Sequence, residues 1–517
     1  MIDLRHTRAG LLAAIAAPDP AGEPFSDIAD SRVAAADVRV HMRGHSRDDL
    51  FPILELALSE RFAAVPRAQL IHDLLMPLKH CLGNAHKHGN ARDPAKVVSV
   101  EVVFGARGAL IAVSDEGAGF DVAGTLRRLE EKEPYYENAG TGLRNLHRAT
   151  SAVSYENGGR TVLLCFRPDT RLRDPAGPAD AAAPQTLDAE WVHRCLSAEV
   201  PELGSRIESC RVYAASGPAR DQCGHRYLLR VGTRDGVAAE TRIVTGRLHR
   251  REATARHDWE VARRLHEASH SWRVRVPRPV TRPASEPRLV FYDFDPWMNL
   301  WEYLAYRRSL KALRRSAERI GQALASLHRS QIQLPVAPSD PEGDDAQRIV
   351  ARAEIALRAQ CAGGDVERFR RAARVIQEGA RSRHRRPPAP THGAFGWDRV
   401  HYGINGRFYL YSFEICRPSD PGLDLGGFAA DLLCFTLADA GDGAYRTCEH
   451  AFLATYNADA QHPMEERDLP FYVGLALCQR LQRAELRTGD QAARLLAALE
   501  VALQPATIGR GGIGVTR

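Results

Sequence analysis

The chain has 517 residues, too many for one ordinary domain, so two or three are expected. With 44% hydrophobic and 26% charged residues it has the make-up of a soluble globular protein, and no apolar run is long enough for a membrane span. A net charge of +6, with Arg clusters that lack interleaved aromatics, argues against a nucleic-acid partner.

Residues 1–44 are an N-terminal extension. Its apolar run Gly10–Ala17 follows Arg5 and Arg8 but is short and ends at Pro18-Asp19-Pro20, so a cleaved leader is not the favoured reading. The ten cysteines show neither Cys-x-x-Cys nor zinc spacing and read as reduced thiols of a cytoplasmic protein. Helical periodicity is expected over residues 48–64 and 68–89, and strands over 97–103 and 109–114. A helix around 122–132, a polar lid-like segment at 133–141 and a helix over 142–150 follow, then strands at 151–156 and 161–166 around the Gly158-Gly159 turn. This order predicts an α/β sandwich over 45–167, a mostly antiparallel sheet with helices on one face.

Residues 168–186 are rich in Pro, Ala and Asp and read as a linker. A second unit begins near Leu187. Its first part, to residue 298, alternates strand-like runs (226–231, 241–249, 288–292) with an Arg-rich helix at 255–267. From 299 to 504 it is mainly helical, interrupted at 391–413 by a loop and a strand pair, and 505–517 form a flexible tail.

Three short stretches in the first third carry chemistry. On a helix, His80, Asn84 and His88 share one face. An Asn oxygen there can hold Mg²⁺, which prefers hard oxygen ligands. Asp115 ends an apolar strand, where a carboxylate can accept a hydrogen bond from an exocyclic base amine, and Gly117 and Gly119 let the backbone turn close to the ring. Gly140, Thr141, Gly142 and Leu143 open a helix whose free N–H groups can face phosphates.

In this order the stretches resemble the GHKL ATPases, the ATP-binding domain type of histidine kinases, gyrase, Hsp90 and MutL. The details look closest to the anti-sigma-factor serine kinases. The resemblance makes Asn84 the N box, Asp115-Gly117-Gly119 the G1 box and Gly140-Gly142 the G2 box, with Thr161 helping to hold adenine. It implies ATP and Mg²⁺ as ligands, a lid over 122–141 and a homodimer. The partner it implies is a regulatory protein, an anti-sigma antagonist or a sigma factor. His80 stands where ATP-cleaving members carry a Glu general base. A neutral imidazole can take a proton, or the ring can simply pack and hydrogen-bond; both readings stay open.

A second pattern runs from Ala323–His328 through Thr391-His392-Gly393-Ala394 and Leu410–Glu414 to Asp420-Pro421 and Asp424-Leu425. It resembles the aminoglycoside phosphotransferase branch of the protein-kinase-like fold over roughly 190–500, so the fold class expected is α+β: a GHKL sandwich, then a two-lobed kinase-like fold. By that resemblance Ala394 replaces the base Asp, Arg399 the metal-binding Asn or Gln, Ser412 a metal Asp, and Arg247 the phosphate-pairing Lys. Phosphoryl transfer depends on those groups, so a pseudokinase module is expected. The whole reads as an ATP-binding signalling regulator, possible activities being serine phosphorylation of a protein or ATP hydrolysis. Its alternatives are an ATP-gated binding protein without turnover and a small-molecule phosphotransferase regulated by the GHKL domain.

Overall fold

A computed structural model describes residues 6–17, 26–27, 39–65, 67–125, 146, 151–168, 188–214, 224–232, 239–307, 309–335, 345–359, 361, 363–382, 386–403, 405–439, 442–483 and 489–503. The chain divides into two compact units, Met1–Arg247 and Leu248–Arg517. No helix among the described residues is long and apolar enough to cross a membrane. The nine described cysteines are free thiols.

The first unit is built on a six-stranded sheet in the order β1 (Ser26–Asp27), β2 (Arg39–Gly44), β3 (Val98–Gly105), β4 (Gly108–Ser114), β6 (Thr161–Phe166), β5 (Ala152–Glu156). Only the short β1–β2 pair is parallel. Helix α2 (Arg47–Arg61) starts at a capping box in which Ser46 and Asp49 satisfy each other's backbone N–H groups. Next comes a long helical run: α3 (Arg67–Leu70), a π turn (Ile71–Leu75), α4 (Met76–Asn84) and a second π turn (Ala85–Gly89). Phe62, at the end of α2, packs on Phe104 and Phe166 and so marks the helix-covered face of the sheet.

The opposite face is also covered. Val103, Leu110, Ala112, Leu163 and Cys165 point away from Phe62 by strand alternation and bury Leu11 and Ile15 of α1 (Arg8–Ala14). Arg8 bridges Glu101 and Glu156 on the same side, at 2.9 and 2.8 Å. The expectation of helices on one face is thus corrected: the N-terminal apolar segment is an amphipathic helix that closes the second face.

Helix α2 is buried on nearly every side, as its almost unbroken apolar sequence requires. One stripe, Ile53 and Leu56, meets Leu228 and Ile243 of β8 (Gly224–Gly232) and β9 (Ala239–Leu248). Within this contact the fully buried Glu55 carboxylate pairs with Arg226 at 2.5 Å and accepts from Ser59. β7 (Ile207–Ala214), β8 and β9 form an antiparallel set behind α5 (Ala189–Glu199).

The second unit begins with α6 (Glu252–Ala268) and the antiparallel pair β11 (Arg278–Thr281) and β12 (Leu289–Asp293), with β10 (Val274–Arg275) before them. Its bulk is helical: α7 (Leu300–Arg307), α8 (Leu310–His328), α9 (Ala346–Arg358), α10 (Gly363–Ser382), α11 (Gly422–Asp439), α12 (Asp442–Asp459), α13 (Leu469–Arg483) and α14 (Gly489–Leu503). Among these helices run β13 (Met298–Asn299), β14 (Ala389–Thr391), β15 (Val400–Tyr402), β16 (Phe408–Leu410) and β17 (Arg417–Ser419); the strand pair expected within 391–413 is β15 with β16, and β14 pairs with β17. One large apolar core joins α6 to α14, with Trp397, Phe413, Phe428 and Tyr472 at its centre.

Candidate nucleotide site

Asn84 is the last residue of α4 and its side chain is exposed. His80 lies one turn earlier and is half-buried; His88 is exposed in the π turn that follows. That turn is closed by the Asn90 N–H donating to the Ala85 carbonyl at 2.7 Å. π turns inside helices are rare and concentrate at functional sites. Beneath this face Cys81 is buried and its thiol is pushed up to about 12 by desolvation. Tyr155, whose ionisation burial also raises, faces the same interior.

Asp115 follows β4 directly. Its N–H donates to the Arg160 carbonyl at 3.0 Å, which continues the β4–β6 ladder one residue past Ser114. Its Oδ1 accepts the Gly117 N–H at 2.9 Å, while Oδ2 has no donor among the described residues. Desolvation raises the carboxyl pKa, and the Gly117 N–H, Arg160 and Lys96 pull it partly back. The carboxylate packs directly on Gly89: a Cβ there would lie 2.2 Å from it. Gly117 is equally constrained, since a Cβ would meet the Gly89 carbonyl at 2.1 Å. Gly119 adopts φ 78°, open to glycine at little cost, and sits on the Gly158 carbonyl. Phe120 leans edge-on against Tyr155 at 5.8 Å and stays partly exposed.

The structure therefore brings the Asn84–Gly89 helix end and the Asp115–Gly119 turn together. Thr161 takes the other face of the sheet from Asp115. Its hydroxyl is held by Ser114 Oγ at 2.9 Å and Asn157 Nδ2 at 3.1 Å, on the face of Leu163 and Cys165 that carries α1. Asp115 instead packs on the helix side, so Thr161 is turned away from it by strand alternation. Gly140, Thr141, Gly142 and Leu143 lie outside the described residues, as does the lid beyond residue 125 and the linker from 169. The start of the lid helix, 122–125, is capped by Asp121, whose Oδ1 accepts the Gly124 N–H at 3.0 Å. Sequence reading missed Asn90, which is fully buried and bonded to the Glu116 N–H at 2.8 Å. Its signal was an Asn directly after a helix-ending Gly.

In the second unit the 392–399 loop has a different character. Asp424 Oδ2 accepts from the His392 N–H (2.7 Å) and His328 Nε2 (3.1 Å), and Oδ1 from the Gly393 N–H (3.1 Å). Burial, with some help from Arg399, pushes the His392 pKa down, and its Nε2 donates to the Tyr411 carbonyl. Asp431 receives the Trp397 N–H and Arg480. Ser412 holds φ 77°, a strained region for a residue with a side chain, costing on the order of 1 kcal/mol. The next N–H, of Phe413, is fixed at 2.7 Å on Asp258, which also accepts from Tyr292 and His249. Arg399 lies between Asp398 (3.2 Å) and Glu414 (3.6 Å). Ala394 offers no proton acceptor in its side chain.

No curated protein sequence matches the chain. Solved structures similar to it include a choline/ethanolamine kinase family protein from Mesorhizobium loti, with 13% identity, 62% of this chain and 96% of that one covered, and a TM-score of 0.40. Choline kinase LicA from Streptococcus pneumoniae gives 12%, 61%, 98% and 0.40, and APH(2")-IIa in its gentamicin complex 16%, 62%, 97% and 0.38. The family model described as the histidine kinase-like ATPase domain matches residues 57–166. That span contains both Asn84 and Asp115, and residues 57–166 are accordingly a histidine kinase-like ATPase domain, a domain type that supports ATP binding by this chain.

Proposed function

We propose that the chain is a cytoplasmic signalling regulator that binds ATP with Mg²⁺ in its N-terminal domain and carries a catalytically silent, two-lobed kinase-like module over residues 187–504. The observation that carries the first half is Asp115: one oxygen is fixed internally and the other is left for an exocyclic amine. The exposed Asn84 amide oxygen suits Mg²⁺ beside the phosphates. The second half is supported by Ala394 and Arg399, which put no side-chain base after His392-Gly393 and a cation between the two remaining carboxylates.

His80 in place of a carboxylate favours holding ATP over cleaving it, so an ATP-gated surface for a protein partner is the main reading. Serine phosphorylation of an anti-sigma-type partner is the second, with His80 as base, and a homodimer would accompany either. Titration of the full chain with ATP–Mg²⁺ tests the site: wild type should bind, and Asn84→Ala and Asp115→Asn should bind more weakly. Equal binding by all three overturns the assignment. Turnover of radiolabelled ATP that vanishes in His80→Ala would favour the kinase reading.

A further inference from the structure

We infer that Asn90 and Glu116 form a clamp that positions Asp115 for base discrimination, an inference that rests on the ATP reading above. The Asn90 Nδ2 donates to the Val97 carbonyl at 3.0 Å, and its Oδ1 accepts the Glu116 N–H at 2.8 Å. Glu116 Oε2 in turn accepts the Val97 N–H at 3.0 Å. Three segments are closed into one ring: the end of the Asn84 helix, the entry to β3 and the turn after β4. Asn90 is anchored to the helix by its own N–H on Ala85, so the ring moves with that helix.

The ring sits one residue beyond a close contact. Gly89 precedes Asn90, Asp115 precedes Glu116, and the Asp115 carboxylate packs on Gly89. The bond between residues 90 and 116 therefore sets how closely 89 and 115 approach. With Oδ1 tied to Gly117, that approach aims Oδ2. The Asn90 amide and the Glu116 carboxylate are taken up by protein backbone groups, so both are positioning residues that act through Asp115. Loosening them should cost the one hydrogen bond Asp115 accepts from an exocyclic amine and leave phosphate contacts alone.

The test is titration of the full chain with ATP–Mg²⁺ and with purine riboside triphosphate–Mg²⁺, which lacks the exocyclic amine. Wild type should prefer ATP by about tenfold or more, the size of one specific hydrogen bond. In Glu116→Ala and Asn90→Ala, ATP affinity should fall by about tenfold and analogue affinity by less than about twofold, erasing the preference. Glu116→Gln keeps an acceptor for the Val97 N–H and should restore it. Glu116 is exposed, so its variants test the clamp even where Asn90→Ala does not fold. A preference retained in Glu116→Ala, or equal losses for both ligands, overturns the clamp while leaving ATP binding intact. Wild type that binds neither ligand overturns the ATP reading and the clamp with it.

Discussion

The turn after β4 in the first unit and the buried carboxylates of α6 and α11 in the second use acidic residues in opposite ways. Among the described residues, Asp115 keeps one oxygen without a donor on a partly exposed site. Asp424, Asp431 and Asp258 are buried and have every strong hydrogen bond directed inward, to backbone N–H groups, His328, Arg480 and Tyr292. A carboxylate with an open valence costs the fold something and has a use only when a ligand arrives. A carboxylate that closes several backbone donors is structural. Asp115 thus has the bonding expected of a ligand-facing carboxylate, whereas Asp424, Asp431 and Asp258 are scaffold.

The largest expected effect follows from the scaffold side. Asp424→Ala would leave the His392 and Gly393 N–H groups and His328 buried without an acceptor, a loss of roughly 3–5 kcal/mol read by denaturant unfolding. Asp115→Asn should do the reverse: about a hundredfold weaker ATP binding by calorimetry, with the melting temperature nearly unchanged. If Asp115→Asn unfolds the chain, or Asp424→Ala leaves it intact, the contrast collapses. Asn84→Ala should weaken ATP about tenfold in Mg²⁺ and much less in a chelator, which separates ion from base recognition.

The smallest effect is a pH dependence of a few-fold. Because burial raises the Asp115 pKa, acidification should weaken ATP binding from above the ordinary Asp value of about 3.9. A raised carboxyl pKa favours the folded state as pH falls, so protonation of Asp115 does not itself drive unfolding. Asp115→Asn should flatten the profile.

Much of the candidate nucleotide site was legible because its residue types are chemically constrained at short spacing. Asn84, Asp115 and the Gly89, Gly117 and Gly119 contacts sit on local turns that the sequence writes out directly. The side of the sheet that Thr161 takes was not legible, because which face a strand residue takes depends on register. Asn90 escaped for a related reason: its partners, Val97 and Glu116, come together only in the sheet. The apolar segment near the N-terminus announced a helix but not the sheet face it would close. In the second unit Ala394 and the Arg399 cation could be read from the chain, whereas the inward bonding of Asp424 and Asp258 needed the fold.

The buried Glu55–Arg226 pair has a consequence for how this chain can change over time. Either residue alone, once substituted, strands a charge inside an apolar contact with Leu56 and Leu228. The two positions are 171 residues apart in sequence, yet they can drift only in step, or together toward a neutral, apolar pair. Lineages descended from this protein should show residues 55 and 226 as a covarying couple, and excision of residues 1–186 as a fragment would leave Glu55 without its partner on a sticky helix face.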